Sequence, residues 1–93
     1  MPYTTVPGRK AAGVLLYALS TCPWCRKTKE LLNSLGIEYL YIDVDLAAGE
    51  ERDDAVAAVK KWNPPMSLPV LVIDGQHAII GYRPDDIQAA LGQ

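Results

Sequence analysis

The only two cysteines of this 93-residue chain stand as Cys22-Pro23-Trp24-Cys25, where an apolar run ends and a helical pattern begins. The run, Gly13 to Leu19, has strand length and no alternation, as in strands buried on both faces of a sheet. The pattern that follows carries Thr28, Leu31, Leu32 and Leu35 at spacings of three, four and three, the inner face of a helix over Trp24–Leu35. A cysteine in the first turn of a helix meets unpaired backbone N–H groups and the positive end of the helix dipole. Both favour thiolate, the form that attacks disulfides. A second cysteine three positions on is near enough to close a small ring, so a disulfide can form and break at one place. The motif therefore demands a strand, a turn and a helix in that order.

The rest of the chain extends this alternation. Arg26, Lys27, Lys29 and Glu30 fall on the expected solvent side of the first helix, and Gly36 ends it. Ile37–Val44 reads as a second strand, broken by Asp43, Asp45 and the Gly49 region. Glu50–Trp62 reads as a second helix, with Ala55, Val56, Val59 and Trp62 on one face. Its acidic residues come first and Lys60 and Lys61 last, the charge order the helix dipole prefers. Asn63-Pro64-Pro65 stops it. Val70–Ile73 is a third apolar strand, Asp74-Gly75 a two-residue hairpin signal, and His77–Gly81 the returning edge strand. Asp85–Leu91 reads as a closing helix. The expected order is β-α-β-α-β-β-α. Two parallel crossovers and a hairpin would make one four-stranded mixed α/β sheet with helices on both faces.

The N-terminus is ambiguous. Arg9 and Lys10 before the apolar run Ala11–Leu19 have the look of a secretory leader. The run is short, however, and cleavage ahead of Cys22 would remove the strand that supports the helix. Residues 1–12, with Pro2, Pro7 and Gly8, are therefore expected to form a flexible tail, with the domain over residues 13–92. A net charge of −2 without a basic block argues against nucleic-acid binding through phosphate contacts. No apolar run is long enough to span a membrane. Two cysteines are too few for a disulfide-stapled secreted scaffold, so the core itself must stabilise the fold; a cytoplasmic location and a monomer are expected.

With its element order, its Cys22-Pro23-Trp24-Cys25 junction, Ser67-Leu68-Pro69-Val70 and Gly81, the chain resembles the glutaredoxin branch of the thioredoxin superfamily. The resemblance covers about residues 13 to 92 and implies a single thioredoxin-like domain. It also implies that Pro69 is cis and faces the cysteine pair, since Ser67-Leu68-Pro69 matches the family's Thr-Val-Pro segment. Three positions depart from glutathione-using members. Leu19 stands where they carry lysine, Pro65 and Met66 where Gln or Arg is common, and Tyr82 where a second glycine follows Gly81. Gly81-Tyr82-Arg83-Pro84-Asp85 is instead similar to the Gly-Phe-Arg-Pro-Asp segment of small redoxins that reduce ribonucleotide reductase and draw electrons from thioredoxin reductase.

The expected activity is dithiol–disulfide exchange on protein or low-molecular-weight disulfides. Cys22, nearest the helix tip, is the expected attacking thiolate and Cys25 the resolving thiol. Pro23 starts the helix and limits how the ring relaxes. Trp24 is expected as an exposed platform beside the sulfurs; Ser67, Leu68, Pro69, Gly81, Tyr82 and Arg83 complete the expected substrate surface. The electron donor is a flavoprotein thioredoxin reductase or glutathione, with no tightly bound cofactor and no metal. Trp62 is expected to pack at the helix end, and His77, with no Cys or His near it in the pattern, is expected to be neither ligand nor base. The alternative is an iron–sulfur or metal carrier, in which a dimer pools its cysteines because two thiols supply half a tetrahedral shell.

Overall fold

Residues 3–92 are described by a computed structural model. Its elements are β1 (Thr4–Val6), β2 (Val14–Ala18), α1 (Pro23–Ser34), β3 (Tyr39–Asp43), α2 (Gly49–Trp62), β4 (Val70–Ile73), β5 (His77–Ile80) and α3 (Pro84–Ala90). The strands form one mixed sheet in the order β1-β3-β2-β4-β5. Apart from β1 and shifts of a residue or two at the ends, these are the elements expected.

The central strands are buried on both faces because their residues serve two cores alternately. Val14, Leu16 and Ala18 of β2, with Leu71 and Ile73 of β4, pack with Leu32 of α1, Ile87 of α3 and Leu91 just beyond it. Tyr17 of β2, with Val70 and Val72 of β4, packs on the opposite face with Ala55 and Val59 of α2, where Trp62 joins them. The continuous apolar runs thus reflect a three-layer α/β arrangement.

Two expectations are corrected. The sheet has five strands, not four: Thr4–Val6, read as part of a flexible tail, pairs antiparallel with β3, Thr4 opposite Tyr41 and Val6 opposite Tyr39. Beyond it, Arg9 N–H donates to the Gly36 carbonyl at 2.7 Å and Glu38 N–H to the Arg9 carbonyl at 2.9 Å. Three residues flanked by proline and glycine give no periodic signal, and what orders them is the open edge of β3. The expected tail also included Met1 and Pro2, which lie outside the described residues. Second, β2 and β3 are parallel, but β4 runs antiparallel to β2, so the second crossover is not a parallel one. A helical connection is required for a parallel return yet does not dictate one. The reversal matters for the site. β4 enters the sheet where β2 leaves it, with Val70 paired to Tyr17, and this sets Leu68-Pro69 beside the cysteines.

Local chemistry fixes the ends that frame the site. At the far end of α1, Gly36 N–H donates to the Asn33 carbonyl at 3.0 Å and Ile37 N–H to that of Leu32 at 3.2 Å. This glycine-dependent stop has φ +66° at Gly36. The β4–β5 hairpin turns on Asp74 and Gly75, both with positive φ, as Asp-Gly turns require. Asp74 also accepts Gly13 N–H at 2.7 Å through Oδ1, anchoring the start of β2.

Candidate active site

Cys22 is the N-cap of α1 and Pro23 its first helical residue. An N-cap has extended backbone, here φ −87° and ψ 116°, and turns its side chain back over the orphan N–H groups of the first turn. The Cys22 sulfur therefore accepts Cys25 N–H at 3.2 Å and lies 4.0 Å from the Leu68 carbonyl oxygen, to which its thiol donates. Cys22 is half-buried and Pro23 exposed, while Cys25 is 1% exposed. That inequality separates the two thiols. Burial, foremost, and the hydrogen bond with Cys22 push the Cys25 thiol from its ordinary 9.0 up to about 12; the Leu19 backbone and the Lys29 charge pull the other way.

Two buttresses hold the loops on either side of the sulfurs. Before the helix, both Ser20 N–H and Ser20 Oγ donate to the Asp45 carboxylate, the N–H at 2.9 Å. The Ser20 hydroxyl, then its amide, hold the Asp45 carboxyl below the usual carboxylate range. The β2–α1 turn is thereby tied to the segment leaving β3. Across the groove, buried Asn63 donates through Nδ2 to the Ser67 carbonyl at 2.8 Å and to Ser67 Oγ at 3.0 Å. Met66 N–H closes the same loop onto the Asn63 carbonyl at 2.8 Å. The loop delivers a cis Leu68–Pro69 bond, as the resemblance implied, and Gly81 N–H caps the Pro69 carbonyl at 2.8 Å.

Trp24, Leu68, Pro69, Gly81 and Tyr82 line one open groove of about 270 Å³. Trp24 is 56% exposed and stacks on Tyr82, with centroids 5.9 Å apart and planes 22° from parallel. Lys27 Nζ lies 6.0 Å from the Trp24 ring centroid. Five of the residues named from sequence thus share this groove, and Cys22 meets it at Leu68; Ser67 and Arg83 do not join them. The Ser67 side chain is engaged by Asn63, and Arg83 turns away to pair with Asp86 at 2.7 Å through Nε. Arg83 borders the groove between β5 and α3 instead.

Asp45 and Asn63 were not visible as site residues beforehand: one reads as a strand breaker, the other as a helix stop, and neither neighbours its partner in sequence. Lys29 departs from its expected solvated face, pairing with Asp43 Oδ1 at 3.0 Å and lying 4.1 Å from the Tyr41 ring centroid. His77 is exposed at the start of β5, and among the described residues no group of ligand side chains forms around it. Among the described residues no three His, Cys, Asp or Glu side chains gather as a metal ion would need, and no helix is long and apolar enough to cross a membrane.

The glutaredoxin family model matches residues 14–78. A glutaredoxin-like 8.6 kDa protein of the Clostridium pasteurianum rubredoxin operon, itself uncharacterized, is 34% identical over 74 residues, 80% of this chain and 91% of that protein. The glutaredoxin of Methanosarcina mazei Go1 superposes with a TM-score of 0.92 at 39% identity, covering 100% of this chain and 90% of that one. The glutaredoxin-like NrdH-redoxin of Escherichia coli superposes with a TM-score of 0.66 at 26% identity, covering 82% and 91%. On that match and this fold, the chain belongs to the glutaredoxin family of the thioredoxin superfamily and is a thiol–disulfide oxidoreductase.

Proposed function

We propose that the chain reduces protein or low-molecular-weight disulfides by a dithiol cycle in which Cys22 attacks and Cys25 resolves. The observation that carries this reading is the inequality of the two sulfurs: one accepts a helix-terminal N–H and stays partly exposed beside the Leu68 carbonyl, the other is sealed in the core. Cys22 Sγ attacks a substrate sulfur, a mixed disulfide forms, and the first substrate thiol leaves. Cys25 then attacks Cys22 Sγ, closing the intramolecular disulfide and releasing the second thiol. An extended substrate would lie along the groove, against the Leu68 backbone, with Trp24 and Tyr82 as its apolar floor and Gly81 leaving room.

For recharging, we favour a flavoprotein reductase over glutathione. Leu19, Pro65, Met66 and Tyr82 replace groups that hold the glutathione carboxylates in the family, and Gly81-Tyr82-Arg83-Pro84-Asp85 is similar to the redoxins served by thioredoxin reductase. The E. coli NrdH-redoxin is described as having a thioredoxin-like activity profile. Two free thiols and no structural disulfide suit a reducing compartment such as the cytoplasm, and a monomer suffices for the cycle. The test is a coupled assay with insulin disulfides. Turnover is expected with NADPH and thioredoxin reductase, and weaker turnover with glutathione and glutathione reductase. Strong glutathione-dependent turnover without any from thioredoxin reductase overturns the donor assignment. Activity surviving Cys22→Ser, or no trapped mixed disulfide in Cys25→Ser, overturns the cycle.

A further inference from the structure

The resolving step has a difficulty built into the fold. Cys25 must lose its proton to attack, yet it sits 1% exposed in the apolar core between α1 and the sheet. A thiolate there has almost no water around it, and burial without a counter-charge is what makes buried thiols inert.

Lys29 lies four residues after Cys25 on α1, hence over the same face one turn on, where side chains are neighbours. It is not free to wave in solvent. Its Nζ is held by Asp43 Oδ1 at 3.0 Å from the end of β3 and sits 4.1 Å from the Tyr41 ring centroid, with 23% of the side chain exposed. Asp43 is itself only 15% exposed. A half-buried ammonium fixed from two sides keeps its orientation at little entropic cost when charge develops nearby. Its positive charge is of the sign that favours the Cys25 thiolate, against the larger effect of burial.

We infer that Lys29, held by Asp43 and Tyr41, is a positioning residue for charge. It stabilises the Cys25 thiolate during resolution and leaves the first attack by Cys22 to the helix terminus. This rests on the dithiol cycle proposed above. In the step concerned, the Cys25 thiol gives up its proton and its sulfur bonds to Cys22 Sγ. The Cys22–substrate S–S bond breaks, and the departing thiolate carries the electron pair and takes up a proton. No outside oxidant or reductant enters. Asp43 has the opposite influence: its negative charge fixes Lys29 but also offsets part of its field.

The two partners of the ion pair therefore have effects of opposite sign, which separates electrostatics from scaffolding. The reduced protein is mixed with 5,5′-dithiobis(2-nitrobenzoate) in a stopped-flow instrument. Attack by Cys22 releases one equivalent of thionitrobenzoate, and resolution by Cys25 releases the second. In Lys29→Gln the first phase is expected unchanged and the second slowed on the order of tenfold, as the loss of one partly screened charge near the thiolate implies. Lys29→Arg is expected to restore the second phase, and Asp43→Asn to leave it as fast as in the unaltered protein or faster. An unchanged second phase in Lys29→Gln overturns the inference. So does equal slowing of both phases, or Asp43→Asn slowing the second phase as Lys29→Gln does, since breaking a structural ion pair acts alike from either side. If the unaltered protein releases no second equivalent, the dithiol cycle fails and the inference falls with it.

Discussion

The Cys22 sulfur accepts the amide of Cys25, 3.2 Å away, while the Cys25 side chain passes beneath it into the core. One helical turn thus gives two chemically identical thiols different surroundings. The first has a hydrogen-bond donor and an open side; the second has neither water nor room. Alkylation reads this directly. With the reduced protein at neutral pH, iodoacetamide is expected to label Cys22 in a single fast phase. Cys25 should react at least tenfold more slowly, since its thiol is pushed up to about 12 and thiolate, not thiol, reacts. Peptide mapping after partial labelling checks it; equal labelling of both cysteines would undo the assignment of roles.

The same burial has a consequence for stability in alkali. Cys25 in the unfolded chain ionises near its ordinary 9.0, and in the folded chain near about 12. Between those values the unfolded state binds fewer protons than the folded one, so stability falls as pH rises. Below pH 9 the contribution is fully present. Tyr17 and Tyr39, both raised chiefly by burial, add losses of the same sign above their ordinary 10.0. Urea titrations under reducing, oxygen-free conditions should show decreasing unfolding free energy already from pH 9 to 10. In Cys25→Ala this early decline should be shallower. An identical decline would assign the loss to other groups.

Asn63 is the buried polar side chain that shapes the Pro69 loop. Its Nδ2 serves both the carbonyl and hydroxyl of Ser67, and alanine there leaves the Ser67 carbonyl without that donor. Asn63→Ala is expected to cost about 1–3 kcal/mol, and Ser67→Ala less, since the carbonyl keeps its donor. Turnover should fall more in Asn63→Ala than the fraction unfolded explains, because the loop also sets Leu68-Pro69 against Cys22. Thermal melts and disulfide-reduction rates on the same samples test this. A destabilised variant with undiminished turnover per folded molecule would restrict Asn63 to a structural role.

How much of this was readable in advance depended on whether a feature is local. β4, the Asp74-Gly75 hairpin and the start of α1 carry their signals within a few residues, as an apolar run, a turn dipeptide and a proline that opens the helix. The Cys-Pro-Trp-Cys junction is of this kind, which is why the centre of the site was legible. The direction of β4 was not, because crossover length constrains proximity and not orientation. Nor were the ties Ser20–Asp45, Lys29–Asp43 and Asn63–Ser67, each made by an unremarkable polar residue whose partner is brought near by loop or sheet geometry. Arg83 was misplaced for the opposite reason: its motif is contiguous with Gly81 and Tyr82, but α3 begins there and Asp86 draws its side chain off the groove.

β1 poses the sharpest question of this kind, since it is short, largely exposed and held mainly by its partner. Its attachment depends on the backbone contact just beyond it. A Cβ on Gly8 would stand 2.7 Å from the Gly36 carbonyl oxygen and 2.8 Å from the Glu38 nitrogen. Those are backbone atoms at the α1–β3 turn and cannot swing aside. Gly8→Ala should therefore force the N-terminal segment away from the turn and loosen the pairing of Thr4–Val6. The cost is expected at about 1–3 kcal/mol, the range for inserting a methyl where there is no space, or a melting shift of roughly 4–8 °C per kcal/mol in a domain this size. The cysteine pair lies on β2–α1 and not on this edge, so single-turnover reduction of a model disulfide should be unchanged below the melting range. Hydrogen exchange separates the outcomes. Faster exchange at Arg9 and Glu38, whose amides bridge the segment to the turn, with the β2 and β4 amides still protected, is the expected pattern. Unaltered protection at Arg9 and Glu38 would mean that β1 is held by something other than the Gly8 approach.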